Sequence, residues 1–252
     1  SLGLQEATYL QNSAVRIPYL DQDGQEVAVR FRTRLEGSDR FRWRKGTKPC
    51  LYGLWRLNEA KKNNSLVLVE GESDCQTLWL HGIPTLGLPG VGNWREENDA
   101  AFFKDVSTIF VWIEPDRGGE AMLEWLRRSE IRDKARLLFA KDFKDANAMH
   151  CADPDGFSRH WGKALQNSVP WDNFEDGEKS ESHKSAWDQC AELAKEPRIL
   201  ERFSEALESA GVVGESKMAR ILYLALTSRV LSRPVSIAVK GPSSGGKSYI
   251  TG

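Results

Sequence analysis

Between residues 65 and 150, short apolar runs alternate with stretches of helical periodicity, and that alternation leaves few folds open. SLVLV precedes the helical SDCQTLWLHG, IPTLGL precedes NDAAFFKDV, STIFVWI precedes GGEAMLEWLRRSE, and ARLLFA precedes the short DANAMH. Apolar runs this short and this continuous read as strands buried on both faces, and strands joined through helices run parallel. The expectation for residues 64–165 is therefore an α/β core, a parallel sheet covered by helices on both sides.

Ligands of such sheets bind beyond the carboxyl ends of the strands. Here those ends are acidic. LVLV runs into Glu70-Gly71-Glu72-Ser73-Asp74, TIFVWI into Glu114-Pro115-Asp116-Arg117-Gly118-Gly119, and RLLFA into Lys141-Asp142-Phe143-Lys144-Asp145-Ala146-Asn147. Singly, each has an ordinary explanation: Glu72 and Asp74 enrich a first helical turn, Asp145 caps a helix, and EPDRGG is a turn. Together they crowd negative charge at one rim, and a bound cation is the simplest compensation. Oxygen donors without His or Cys favour Mg2+, with Mn2+ as an alternative. The remaining strand end, GLPGVGNW at 87–94, is a glycine-rich loop that could line the same rim or simply turn.

The flanks differ in character. Residues 1–63 carry 12 basic and 7 acidic side chains, and residues 30–48 hold eight Arg or Lys. RIPYLD, the DQDG turn and the period-two EVAVRFRTRLEG predict a small antiparallel sheet. DRFRWRKGTKPCLYGLW then interleaves Phe41, Trp43, Tyr52 and Trp55 with Arg40, Arg42, Arg44, Lys45 and Lys48, a composition suited to single-stranded nucleic acid or to a solvated basic sheet face. Residues 166–185 are acidic without apolar periodicity, which predicts a flexible linker. Residues 186–232 predict about three helices, and 233–252 a buried strand followed by GPSSGGKS, the GxxxxGKS phosphate loop with Gly241, Gly246, Lys247 and Ser248. That loop predicts the start of an ATPase domain, but without a following helix or an acidic metal partner, ATP hydrolysis by this chain is not expected. The four cysteines, Cys50, Cys75, Cys151 and Cys190, form no CxxC pair, so no zinc site is expected. No apolar run reaches membrane-spanning length and no signal design opens the chain, so the expected location is cytoplasmic.

EGExD after one strand, acidic-x-Asp-x-x-Gly after another and KDAN (Lys144 to Asn147) after a third resemble the Toprim domain, a Rossmann-like fold. The EGE and KDAN forms, with KGTKPCLYGLW before them, resemble the phage-type primase-helicases and their mitochondrial relative Twinkle, over about residues 15–152. The resemblance implies a DNA primase that makes RNA primers on single-stranded DNA from nucleoside triphosphates. It implies that Glu70 serves as acid/base or metal-linked carboxylate with Asp74 nearby, and that Glu114, Asp116 and Asp145 hold magnesium. It also implies that Lys45 and Lys48, with Arg42, Arg44 and Lys144, contact nucleotide or template, and that a helicase domain follows in the parent protein. Two departures stand out. The second motif begins with Glu114 where the family has Asp, and the family's N-terminal zinc module has no counterpart here. A metal-dependent Toprim nuclease and a non-catalytic DNA-binding module of a helicase are the alternatives.

Overall fold

The computed structural model describes residues 2–240 except 36, 38, 39, 141, 213 and 239. The phosphate-loop residues Gly241, Gly246, Lys247 and Ser248 lie outside the described residues. The chain divides into two compact units, residues 1–178 and 179–252.

The first unit opens with an antiparallel sheet in the order β1 (Gln5–Tyr9), β2 (Asn12–Leu20), β3 (Glu26–Arg32), β4 (Phe41–Trp43). Register decides which of its residues share a face. Arg30 stands opposite Trp43 and Arg32 opposite Phe41, so all four lie on one side, whereas Arg42 stands opposite Phe31 on the other.

A short 3-10 turn and helix α1 (Leu57–Asn63) lead into the second sheet: β5 (Ser65–Val69), α2 (Glu72–Leu80), β6 (Thr85–Gly87), α3 (Glu96–Asp99), β7 (Thr108–Trp112), α4 (Arg117–Leu126), β8 (Ala135–Leu138). After α5 (Ala146–Ala152) and α6 (Phe157–Gln166) comes an edge strand, β9 (Val169–Pro170). The order is β6-β5-β7-β8-β9, parallel except for β9. Alternate residues of β5 feed separate cores, Leu66 and Leu68 on one face and Val67 and Val69 on the other, as strands covered on both sides require. The α/β architecture with an antiparallel N-terminal sheet and C-terminal helices is thus the observed one.

The segment expected to be a flexible linker, 166–185, is instead the edge strand β9 and most of a long helix, α7 (Trp171–Ala194). Trp171 is buried and Phe174 packs beside it, which anchors the first turn, and Arg127 reaches across to Glu178 at 2.5 Å. Beyond that turn the helix is exposed almost all round, so its sequence carries no apolar stripe to read. The division between the two units falls within α7.

In the second unit, α8 (Ile199–Ser209) and α9 (Ser216–Thr227) pack against each other through Phe203 and Tyr223, with ring centroids 4.8 Å apart. The strand expected from residue 233 does not form among the described residues. Among the described residues no strand pairs with it; Val235 N instead donates to the Ser228 hydroxyl at 2.8 Å, and the Val235 side chain is 59% exposed.

Candidate metal centre and its basic cleft

All three acidic motifs converge on a single cleft of about 610 Å³. Glu70, Asp74, Glu114, Asp116 and Asp145 all line it, with Lys144, Arg30, Arg40 and Phe41. A larger hollow, about 810 Å³, sits on the N-terminal sheet around Glu6, Arg32 and Leu35, and among the described residues that line it Glu6 is the one carboxylate.

Each acid is placed by local backbone logic. The end of β5 delivers Glu70, and Gly71 then turns the chain at φ 91°, into the first residue of α2. Asp74, on the first turn of α2, accepts the backbone N–H of Asn147 at 3.0 Å, which ties the starts of α2 and α5 together. Asp116 caps α4, accepting from Gly118 N at 2.9 Å, and Asp145 caps α5, accepting from Ala148 N at 2.6 Å. The ordinary capping explanation therefore holds alongside the clustering. Trp112 Nε1 donates to the Lys144 carbonyl at 3.0 Å, pinning the KDAN loop to the end of β7. Gly119 is dictated by space, because a Cβ there would lie 1.9 Å from the Glu114 carbonyl oxygen.

Asp74, Glu114 and Asp145 each offer an oxygen within 4.8 Å of the others. This all-carboxylate set suits a hard divalent ion such as magnesium. A cation is already at its edge: Lys144 Nζ lies 3.2 Å from Glu114 Oε2 and 3.0 Å from Asp116 Oδ2. Those two acids push the Lys144 pKa up to about 12. Burial, then the charge of Asp145, pushes the Asp74 carboxyl up to about 7. Burial likewise raises Glu70, reinforced by Glu114 and Asp116, and raises Glu114 against the pull of Lys144. Asp116 goes the other way, lowered by its bond to Lys144.

The sequence-derived metal set was Glu70, Glu114, Asp116 and Asp145; the tight cluster draws in Asp74, while Glu70 and Asp116 sit in the same cleft outside it. Of the basic residues singled out, Lys144 lines the cleft, whereas Arg42, Arg44, Lys45 and Lys48 are exposed and not among its lining. Arg30 and Arg40 supply the basic wall. Both belong to the basic segment recognised in the sequence, but only the pairing of β3 with β4 tells them from their neighbours.

The antiparallel sheet followed by the mostly parallel sheet has the fold of DNA primase catalytic cores. Primase domains of the bacteriophage T7 gp4 protein, seen with an RNA/DNA hybrid and dTTP, superpose with a TM-score of 0.54 at 22% identity, over 68% of this chain and 85% of theirs. The RNA polymerase domain of Mycobacterium tuberculosis primase DnaG, in complex with double-stranded DNA, gives 0.55 at 14% identity, over 81% and 74%. No family model matches the chain. The Gene 57 protein of Mycobacterium phage D29 is 30% identical over 147 residues, 56% of this chain and 91% of that protein. The chain belongs to the family of that phage protein.

Proposed function

We propose that the chain is the nucleotidyl-transfer part of a phage-type DNA primase, joining ribonucleotides on a single-stranded DNA template. The observation that carries this reading is the meeting of Asp74, Glu114 and Asp145 within 4.8 Å in a cleft that Arg30 and Arg40 also line. A primer 3′-hydroxyl attacks the α-phosphorus of a nucleoside triphosphate, the new O–P bond forms, and pyrophosphate leaves. Glu70, its carboxyl held above the ordinary range by burial and acidic neighbours, receives the hydroxyl proton. Asp74, Glu114 and Asp145 would hold magnesium or manganese, with Asp116 beside them. A divalent ion there supplies charge neutralisation for the phosphate undergoing transfer. Lys144 and the arginine wall orient the triphosphate and template, and the exposed Arg42, Arg44, Lys45 and Lys48 extend the attraction for DNA beyond the cleft.

Glu114 in place of Asp is the best support for a non-catalytic DNA-binding module. Against that reading, the longer side chain still brings an oxygen into the cluster. The GxxxxGKS segment fits a nucleotide-binding helicase domain in the parent polypeptide, and a role in DNA replication fits the expected cytoplasmic location. No helix among the described residues is long and apolar enough to cross a membrane.

The deciding measurement is incorporation of labelled ribonucleotides on single-stranded DNA with Mg2+ or Mn2+, for the wild type, Glu70→Gln and Asp116→Asn. Elongated primers from the wild type, reduced at least ten-fold in both variants, support the assignment. Equal yields from all three proteins overturn it, and metal-dependent shortening of the DNA points to the nuclease.

A further inference from the structure

Glu72, the second glutamate of the EGExD motif, stands outside the Asp74–Glu114–Asp145 cluster. It is 2% exposed, and its Oε1 accepts from the Tyr19 hydroxyl at 2.5 Å and from Arg30 Nη1 at 3.1 Å. Tyr19 lies on β2 and is fully buried, and Arg30 lies on β3, so one carboxylate joins the first turn of α2 to the N-terminal sheet. The Arg30 guanidinium in turn lies over two rings of β4, 4.6 Å from the Phe41 centroid and 5.2 Å from that of Trp43. Arg30, Glu72, Phe41 and the neighbouring Arg40 all line the acidic cleft.

This junction is not economical as a stabilising device. Glu72 Oε2 and Arg30 Nε are both buried without a hydrogen-bond partner. An imperfectly satisfied buried ion pair is poor at stabilising a fold compared with apolar packing of equal volume, which leaves orientation as the role to test here. What it orients is β4, a three-residue edge strand that among the described residues pairs with β3 alone. With one neighbour and few ladder bonds, the strand needs another hold, and Arg30 provides it from beneath.

We propose that Glu72 is a positioning residue: through Arg30 it fixes the Phe41–Trp43 strand, and with it Arg40, as the basic wall that receives nucleic-acid or triphosphate phosphates in the same cleft as the acidic cluster. This rests on the primase reading for the identity of the ligand, while the geometry of the wall stands apart from the chemistry. Tyr19 acts in the same unit by locking the carboxylate's rotamer.

The test compares wild type, Glu72→Gln, Tyr19→Phe, Arg30→Met and Arg30→Lys in two assays. Fluorescence anisotropy with a labelled single-stranded oligonucleotide in EDTA reads the wall without metal or catalysis, and primer synthesis separates KM for nucleoside triphosphate from kcat. Glu72→Gln and Arg30→Met are expected to weaken DNA binding about ten-fold and to raise KM by a similar factor, with kcat within about three-fold. Arg30→Lys, which keeps the charge but loses the fork and the planar stack, should not restore binding. Tyr19→Phe removes one hydroxyl and gives a smaller loss in the same direction; it carries the test should the charge-changing variants fail to fold. Wild-type DNA affinity and KM in folded Glu72→Gln, or in folded Tyr19→Phe if the former does not fold, overturn the proposal. Absence of primer synthesis in the wild type with intact DNA binding defeats the primase reading alone, because the anisotropy series still decides the role of Glu72.

Discussion

The Lys144 ammonium stands 3.2 Å from Glu114 Oε2, so one member of the three-carboxylate cluster already carries a positive partner. A divalent ion binding to Glu114 competes with that partner. Lys144 is 53% exposed, which limits the contest to the ~0.5–1 kcal/mol of a solvent-screened pair. Lys144→Met is therefore expected to bind Mn2+ roughly two- to five-fold more tightly at low ionic strength, even as primer synthesis falls for want of a phosphate partner. Mn2+ titration followed by the EPR signal of the free ion measures this; unchanged or weaker binding shows that the lysine does not compete.

Asp74 sets a pH dependence with a definite sign. Its carboxyl is raised to about 7 in the folded protein, so ionisation is disfavoured there relative to the unfolded chain. Without metal, stability should fall as pH rises from the ordinary carboxylate range, about 4, toward 7, and level off above. A divalent ion needs the ionised form, so its affinity should rise over the same interval and flatten above about 7. Thermal melts in EDTA at pH 5.5 and 8, repeated with Mg2+, read both effects: the metal-induced gain in Tm is larger at pH 8. Asp74→Asn removes this source of pH dependence, stabilises the metal-free protein at pH 8 and weakens metal binding. A variant that melts lower than wild type at pH 8 in EDTA would contradict the assigned cost of the buried charge.

Gly119 tests whether helix α4 must approach the end of β7 as closely as it does. A Cβ at 119 would lie 1.9 Å from the Glu114 carbonyl oxygen, a backbone atom that cannot swing aside. Gly119→Ala should cost about 1–3 kcal/mol or more in urea denaturation and displace Glu114 enough to weaken metal binding. Gly92→Ala is the control, since a Cβ at 92 meets nothing within 4 Å. Equal denaturation midpoints for the two variants would mean that the backbone relaxes freely around Gly119.

The parallel core was legible because strands buried on both faces, such as Leu66–Val69, leave uninterrupted apolar runs, and their acidic ends then mark the rim directly. Asp116 and Asp145 illustrate a limit: each caps a helix and also lines the cleft, and a sequence pattern cannot separate the two roles. The part of helix α7 before residue 186 was not legible because a mostly solvated helix has no apolar period; its anchoring by Trp171 and Phe174 is a tertiary fact, whereas 186–194 reads as helical and is. The Arg30–Glu72 contact spans 42 positions and joins a strand of the N-terminal sheet to the start of helix α2, beyond any local pattern. Asp74 looked like a first-turn acid, and only the approach of Asn147 N brings α5 and Asp145 alongside it.

The basic segment offers the sharpest division between what sequence and structure single out. Lys45 and Lys48 follow β4 in an exposed turn, whereas Arg40 precedes it and lines the cleft with its guanidinium 5.6 Å from the Phe41 ring. A lysine or arginine that contacts one phosphate contributes about one to the slope of log affinity against log salt, and it does so only if it lies on the path of the strand. Arg40→Ala should lower that slope by about one and weaken single-stranded DNA binding several-fold, while Lys45→Ala and Lys48→Ala weaken it less and more uniformly. The salt series on the three variants is the measurement. If the two lysines lower the slope and Arg40 leaves it intact, the nucleic acid approaches along the outer turn and the arginine wall of the cleft serves the triphosphate alone.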